Sequence, residues 1–212
     1  MLALPAFIGM NGAMDALIGR VNGTSNLRLS GVYLHRARVF CIFLLFPVSI
    51  LFGFSGMAFR VLEKNPEVTF EANRYVLAYL PNVFLLSLLD IQRRFLVQVQ
   101  LPQICMFTSF CFLLLHVLLT YFFVIFLHHG VVGIGIASFL TNSSMLYANL
   151  SLTSREKVLD SATEISFFDR QVYRGFGDYF RQGLPRATHL FLNAAPFQIL
   201  SLMARKIGLR YQ

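Results

Sequence analysis

The chain has 212 residues, of which 56% are hydrophobic and 13% charged, and it carries a formal net charge of +8. Soluble domains hold about 25% charged residues, so this apolar fraction is too high for a surface that meets water on every side. The basic balance does not mark a nucleic-acid binder: no Asp, Glu, Lys or Arg occurs from Phe95 to Ser154, and the basic residues sit between apolar stretches rather than along one face. Cations flanking apolar segments are what membrane topology produces. The composition predicts an all-α, polytopic integral membrane protein whose first partner is the lipid bilayer.

In chain order, Leu2–Leu17 is interrupted by Gly9, Gly12 and Asp15 and reads as the second half of a helix. Val39–Phe59 is 21 residues without a charge, bounded by Arg38 and Arg60, and meets the length of about 20 needed to cross the hydrocarbon. Tyr75–Leu89 is shorter and holds Pro81 near its middle; proline is tolerated in membrane helices where neighbours re-satisfy the backbone. The uncharged stretch from Phe95 to Ser154 fits two spans, near Leu101–Leu127 and Val131–Ser154, with a tight hairpin at His128-His129-Gly130. A last candidate span, Ala187–Ala204, contains His189, Asn193, Pro196 and Gln198.

The polar region from Arg155 to Arg186 mixes six basic with five acidic residues. The apolar spacing of Val172, Phe176 and Phe180 suits a short helix lying on the membrane surface, and the composition suits a plain solvated linker equally well. Of the 18 Lys and Arg residues, 12 lie in the loops after the first, third and fifth spans. By the positive-inside rule that side faces the cytoplasm or its equivalent.

Cys41, Cys105 and Cys111 lie in apolar stretches and read as small packing residues rather than a disulfide framework or a metal site. Met1 to Met14 is apolar without a basic stretch before it and does not read as a cleavable signal. The sequons at Asn22, Asn142 and Asn149 fall in a cytoplasmic loop or a span and are expected to stay unmodified. His116, in mid-helix, reads as a hydrogen-bonded packing residue. No P-loop, dinucleotide fingerprint, catalytic triad or zinc spacing occurs. No enzyme activity, cofactor or metal is expected.

Gly9-Met10-Asn11-Gly12-Ala13-Met14-Asp15 resembles the second helix of the multidrug and toxic compound extrusion (MATE) transporters, although Arg20 stands where the following turn has Gln. Gly31-Val32-Tyr33-Leu34-His35-Arg36-Ala37, Pro66-Glu67-Val68, Tyr75 to Pro81 and Arg94-Phe95-Leu96-Val97-Gln98-Val99-Gln100 continue the likeness to eukaryotic members. So do His116-Val117-Leu118-Leu119, Gly130 to Ala137 and Phe180-Arg181-Gln182-Gly183-Leu184-Pro185, in the family's order. The resemblance implies a fold of two six-helix lobes and an antiport activity that exports organic cations and xenobiotics against a proton or sodium gradient. It implies that residues 1–154 hold the end of helix two and helices three to six, a partial N-terminal lobe. Residues 155–186 are then a cytoplasmic-side linker, and residues 187–212 are helix seven of the second lobe with a basic tail.

Eukaryotic members carry two carboxylates in helix seven that serve ion coupling; the matching residues here are Asn193 and Gln198. An amide keeps the shape and the hydrogen bonding but does not titrate. Asp15 is a weaker candidate for a cation or proton site, and the alternative is a cap at the helix end. One incomplete lobe is not expected to transport alone. The chain is then either a transporter polypeptide, inactive as an isolated fragment, or a transport-dead homologue serving as a structural subunit. In either case Asn193 and Gln198, with Gly133, Gly135, Ala137, Ser138, Asn142, Ser143 and Ser144, are expected to face another protein chain, a second copy or a larger membrane assembly.

Overall fold

The side chain of Asn26 starts a helix twelve residues before the apolar run it serves. Its Oδ1 accepts the Leu29 N–H at 3.1 Å, an N-cap that satisfies one of the free donors at a helix start. In the structure, a computed structural model, that helix is the second of the chain. The residues described are 3–22, 26–54, 56–57, 66–156, 159–163, 165, 167 and 169–208. They form α1 (Ala3–Asn22), α2 (Leu27–Gly53), α3 (Pro66–Gln98), α4 (Pro102–Tyr121), α5 (Gly130–Thr153), the single turns α6 (Asp160–Thr163) and α7 (Arg170–Tyr173), and α8 (Phe176–Gly208). A π-helical turn, Phe122–Phe126, prolongs α4.

Four of these helices are long and apolar enough to cross a membrane: Leu27–Gly53, Thr69–Gln98, Pro102–Phe126 and Gly130–Thr153. The hairpin between α4 and α5 falls where the sequence places it, with positive φ at His128 (52°) and Gly130 (55°). The helix ends differ from the expected spans. α2 begins at Leu27 rather than Val39, α3 runs from Pro66 to Gln98 rather than from Tyr75 to Leu89, and α8 begins at Phe176 rather than Ala187. At the start of α2 and the end of α3 polar residues continue the helix because neighbouring helices take up their side chains, as Gln92 does for Arg38 and Asp15 for Arg94. The Arg60 end of the second expected span and the Asn22 sequon's Gly23-Thr24 lie outside the described residues.

Among the described residues, the segment before α8 packs against α2. Val172 is fully buried with Val32, Val39 and Ile165 against α2. Arg36 on α2 donates from Nε to the Val172 carbonyl at 2.9 Å and from Nη2 to the Gln171 carbonyl at 2.8 Å. The Arg174 carbonyl accepts from the same Nη2. Gly175 follows at φ +81°, and a Cβ there would lie 3.2 Å from the Arg36 Nη1. A charged donor is well matched to carbonyls that no helix satisfies. The α6–α7 strap is thereby clasped to the end of α2 that also carries Gly31, whose missing Cβ makes room for the Ala162 carbonyl.

Gly133, Gly135, Ala137 and Ser138 of α5 are used within the chain, which corrects the expectation that these four face another protein; Ser144 is exposed. Gly135 lies against α3, where a Cβ would come 3.3 Å from the Ala78 Cβ, and Gly133 lies against the Phe123 carbonyl. Ala137 and Ser138 are buried. Asn142 donates to Asn82 Oδ1 of α3 at 2.7 Å, so it is no outward-facing group. His116 pairs with Thr141 Oγ1 at 3.3 Å, in keeping with a packing role.

The start of α2 and the strap occupy one end of the bundle, so the two basic loops share one side of the membrane. Cysteines placed at the exposed positions Arg28 and Arg170 are expected to react with an impermeant maleimide from the same side of sealed vesicles. Reaction from opposite sides would mean that a helix between them does not cross.

Candidate functional site

α3 runs through the middle of the bundle, and in its last three turns successive polar residues point at different helices. Asp90 and Arg94, four apart, lie on one face. Arg94 Nε donates to Asp90 Oδ2 at 2.8 Å, and Arg94 Nη1 donates to Asp15 Oδ2 of α1. Asn11, one turn before Asp15, donates from Nδ2 to Asp90 Oδ2 at 3.1 Å and to the Ser87 carbonyl at 3.2 Å. Cys41 of α2 donates to Ser87 Oγ at 3.1 Å. On the other flank Gln92 donates to Thr153 Oγ1 of α5 at 2.9 Å and accepts from Arg38 of α2 at 2.8 Å. Three helices therefore meet α3 through charged or amide groups within about two turns of its end.

The side chains in this cluster are withdrawn to different degrees. Asp90 is 9% exposed, Arg94 19% and Asp15 31%. Asp15 and Arg94 form part of the wall of a groove of about 410 Å³ between α1 and α8, together with Gly12, Pro185, Arg186 and His189. Gly9 and Gly12 let α8 approach here: a Cβ on Gly9 would sit 2.3 Å from the Ala187 Cα. Tyr179, just before the apolar part of α8, is buried, and its hydroxyl has no hydrogen-bond partner among the described residues.

Asp15 is not a helix cap. α1 continues seven residues beyond it to Asn22, and the carboxylate is bound by Arg94 instead. Asn193 is exposed on α8, with its Nδ2 3.4 Å from His189 Nδ1, and reaches the groove only through that histidine. Gln198 lies half-buried more than a turn further along and is not gathered with Asp15. Asp90 is the residue that sequence reasoning missed, because the expected span stopped one residue before it. The spacing of Asp90 and Arg94 was the available signal. Among the described residues no three His, Cys, Asp or Glu side chains come together as a metal site.

A sequence model of the MatE family matches residues 1–122. The chain is 26% identical over 199 residues to Protein DETOXIFICATION 12 of Arabidopsis thaliana, covering 93% of this chain and 40% of that protein. It is 28% identical over 139 residues to Multidrug and toxin extrusion protein 1 of Mus musculus, covering 65% of this chain and 24% of that protein. Among solved structures, the crystal structure of the eukaryotic MATE transporter AtDTX14 superposes with a TM-score of 0.88 at 22% identity, over 95% of this chain and 45% of that one. The inward-facing conformation of a multidrug resistance MATE family transporter gives 0.75 at 18% identity, over 90% and 43%. These structural likenesses establish the fold. The chain spans about two fifths of the length of the DETOXIFICATION relative.

The cluster's geometry sets an order of stability. Arg94→Gln leaves Asp15 without its cation and Asp90 with the exposed Arg93 alone, whose Nη2 lies 3.2 Å from Asp90 Oδ1, and is expected to cost about 2 kcal/mol once partial exposure discounts the value for a fully buried pair. Asp15→Asn leaves Arg94 bound to Asp90 and is expected to cost under about 1 kcal/mol. Thermal unfolding in mild detergent reads both; equal effects, or a larger one at Asp15, would contradict this arrangement.

Proposed function

The chain belongs to the MatE family, whose members are transporters rather than enzymes, and from that premise we propose that it is part of a system exporting organic cations and other xenobiotics by proton- or sodium-coupled antiport. The names of the relatives speak of detoxification and of multidrug and toxin extrusion. The single observation that supports bringing that activity here is the groove between α1 and α8, where Asp15 and Arg94 meet Arg186 and His189 at the contact between two expected lobes. In this reading residues 1–154 act as a partial N-terminal lobe, residues 155–186 as the linker, and residues 187–212 as helix seven and its tail. α8 starts inside the linker, so the first turns of helix seven are held by the first lobe.

Two features limit what these residues do by themselves. Alternating access needs one bundle to rock against another around a shared site, and the span present corresponds to less than half of the relatives. The two positions that the resemblance matches to coupling carboxylates of eukaryotic members are the amides Asn193 and Gln198, which do not exchange protons. The amides also favour the second reading, a transport-dead homologue retained as a structural subunit. Purification in mild detergent separates the two. A co-migrating chain that carries the remainder of a MatE fold supports the transporter, and stoichiometric unrelated membrane proteins support the subunit.

Neither the 212-residue chain nor its Asn193→Glu, Gln198→Glu double variant is expected to concentrate a fluorescent organic cation in proteoliposomes under a proton or sodium gradient. Gradient-driven uptake by the double variant would show that this span suffices and would overturn the two-lobe requirement.

A further inference from the structure

A second groove, of about 370 Å³, lies on the outer face between α2 and the first turns of α8, lined by Phe40, Phe43, Pro47, Phe176, Gly177 and Phe180. Aromatic contacts form its floor: Phe40 and Phe43 stand 5.2 and 5.7 Å from Phe176, centroid to centroid. Phe43 is 65% exposed and Phe180 47%, so the walls are open to whatever surrounds the bundle.

The depth of the groove follows from the charges on α2. Arg28, Arg36 and Arg38 lie in its first turns, and from Val39 to Gly53 there is none. The hydrocarbon therefore begins near Val39, and Phe40 to Pro47 covers roughly the first 10 Å beneath the boundary at 1.5 Å per residue. α8 descends from the same end, since Gly183 packs on Met10 and Ala187 on Gly9, antiparallel to α1. A cleft at that depth in a membrane protein is filled by an acyl chain unless protein covers it.

The mouth of the cleft is basic. Arg181 follows Phe180 directly and lies four residues after Gly177, on the same face of α8. Arg174 precedes α8 at the end of the clasped strap. Both are exposed, and no hydrogen bond or ion pair engages either guanidinium among the described residues. Arg36 adds a third positive charge behind them. Asp178, exposed on the first turn of α8, and Asp169, at the N-cap of α7, stand against Arg170, Arg174, Arg181 and Arg36, a local excess of two positive charges. Tyr173, 43% exposed, offers a phenol at the level where interfacial aromatics sit. Arginine stems run along apolar surface while the planar head reaches outward, and that head matches a phosphate's two oxygens.

We propose that this groove binds one anionic phospholipid, its acyl chain against Phe43, Phe176 and Phe180 and its phosphate on Arg181 and Arg174. The lipid would brace α8 against α2 beside the Arg36 clasp. The proposal rests on the membrane setting and not on transport.

The chain contains no Trp, so Phe180→Trp introduces a lone fluorophore at the groove, and Phe43→Trp supplies a second from the opposite wall should the first disturb folding. Each variant is reconstituted in phosphatidylcholine nanodiscs with a small fraction of chain-brominated phosphatidylglycerol or chain-brominated phosphatidylcholine. The anionic quencher is expected to act at a lower mole fraction than the zwitterionic one. Arg174→Gln and Arg181→Gln are each expected to reduce that preference by about fivefold. Phe107→Trp, on the 67% exposed lipid face of α4, is expected to be quenched equally by both. Equal quenching at the groove would overturn the anionic site, and quenching by neither would show that protein covers it.

Discussion

The polar side chains of α3 that lie within the bundle depend on partners there, because hydrocarbon offers none; among the described residues the buried Asn82 Nδ2 is left without one. Asn82 takes Asn142 from α5, Ser87 and Asp90 take Asn11 from α1, Gln92 takes Thr153 from α5 and Arg38 from α2, and Arg94 takes Asp15 from α1. Membrane hydrogen bonds average only about 0.6 kcal/mol each, so their sum is modest. Their constraint on register is severe: rotating α3 by one residue would leave several buried groups unpaired at once, each at a cost above what a single bond contributes. The position of α1, α2 and α5 around α3 is therefore decided by polar matching more than by apolar packing.

Close backbone approach completes the arrangement. Gly9, where Ala187 arrives, and Gly31, where the Ala162 carbonyl arrives, are sites at which any larger side chain would force helices apart. Arg36 then holds the strap at the bundle's end by three carbonyls. The result gathers the first turns of α8 onto α1 and α2, and that gathering builds both grooves. The groove facing α1 contains the charged cluster, and the one facing α2 is apolar below a basic rim.

The sequence disclosed what depends on long apolar runs and on turn chemistry. The four spans, the His128–Gly130 hairpin and the family resemblance are of that kind. Helix ends were hidden where polar residues continue a helix through tertiary contacts. Arg36 and Arg38 look like loop cations until their partners, the strap carbonyls and Gln92, are in place. Asp90 was passed over for the same reason. The outward packing surface expected on α5 was a misassignment of face: Gly135 and Asn142 turn toward α3, and a pattern of small and polar residues does not say which neighbour it fits. Asp15 could be picked out as unusual, but its tie to Arg94 spans 79 residues and has no local signature. Asn193 and Gln198 were visible only through the resemblance, since an exposed amide on a helix carries no signal of its own.

The dependence of the bundle on polar pairs along α3 is open to a direct measurement. A double-mutant cycle on Asn82 and Asn142, each changed to Leu and followed by reversible unfolding in detergent, isolates their interaction from the effect of either side chain alone. The polar-matching account predicts a favourable coupling of about 0.6 kcal/mol, and up to about 1.7 kcal/mol, for a pair at mid-membrane depth. Strictly additive effects would contradict it and leave apolar packing as the source of the bundle's register.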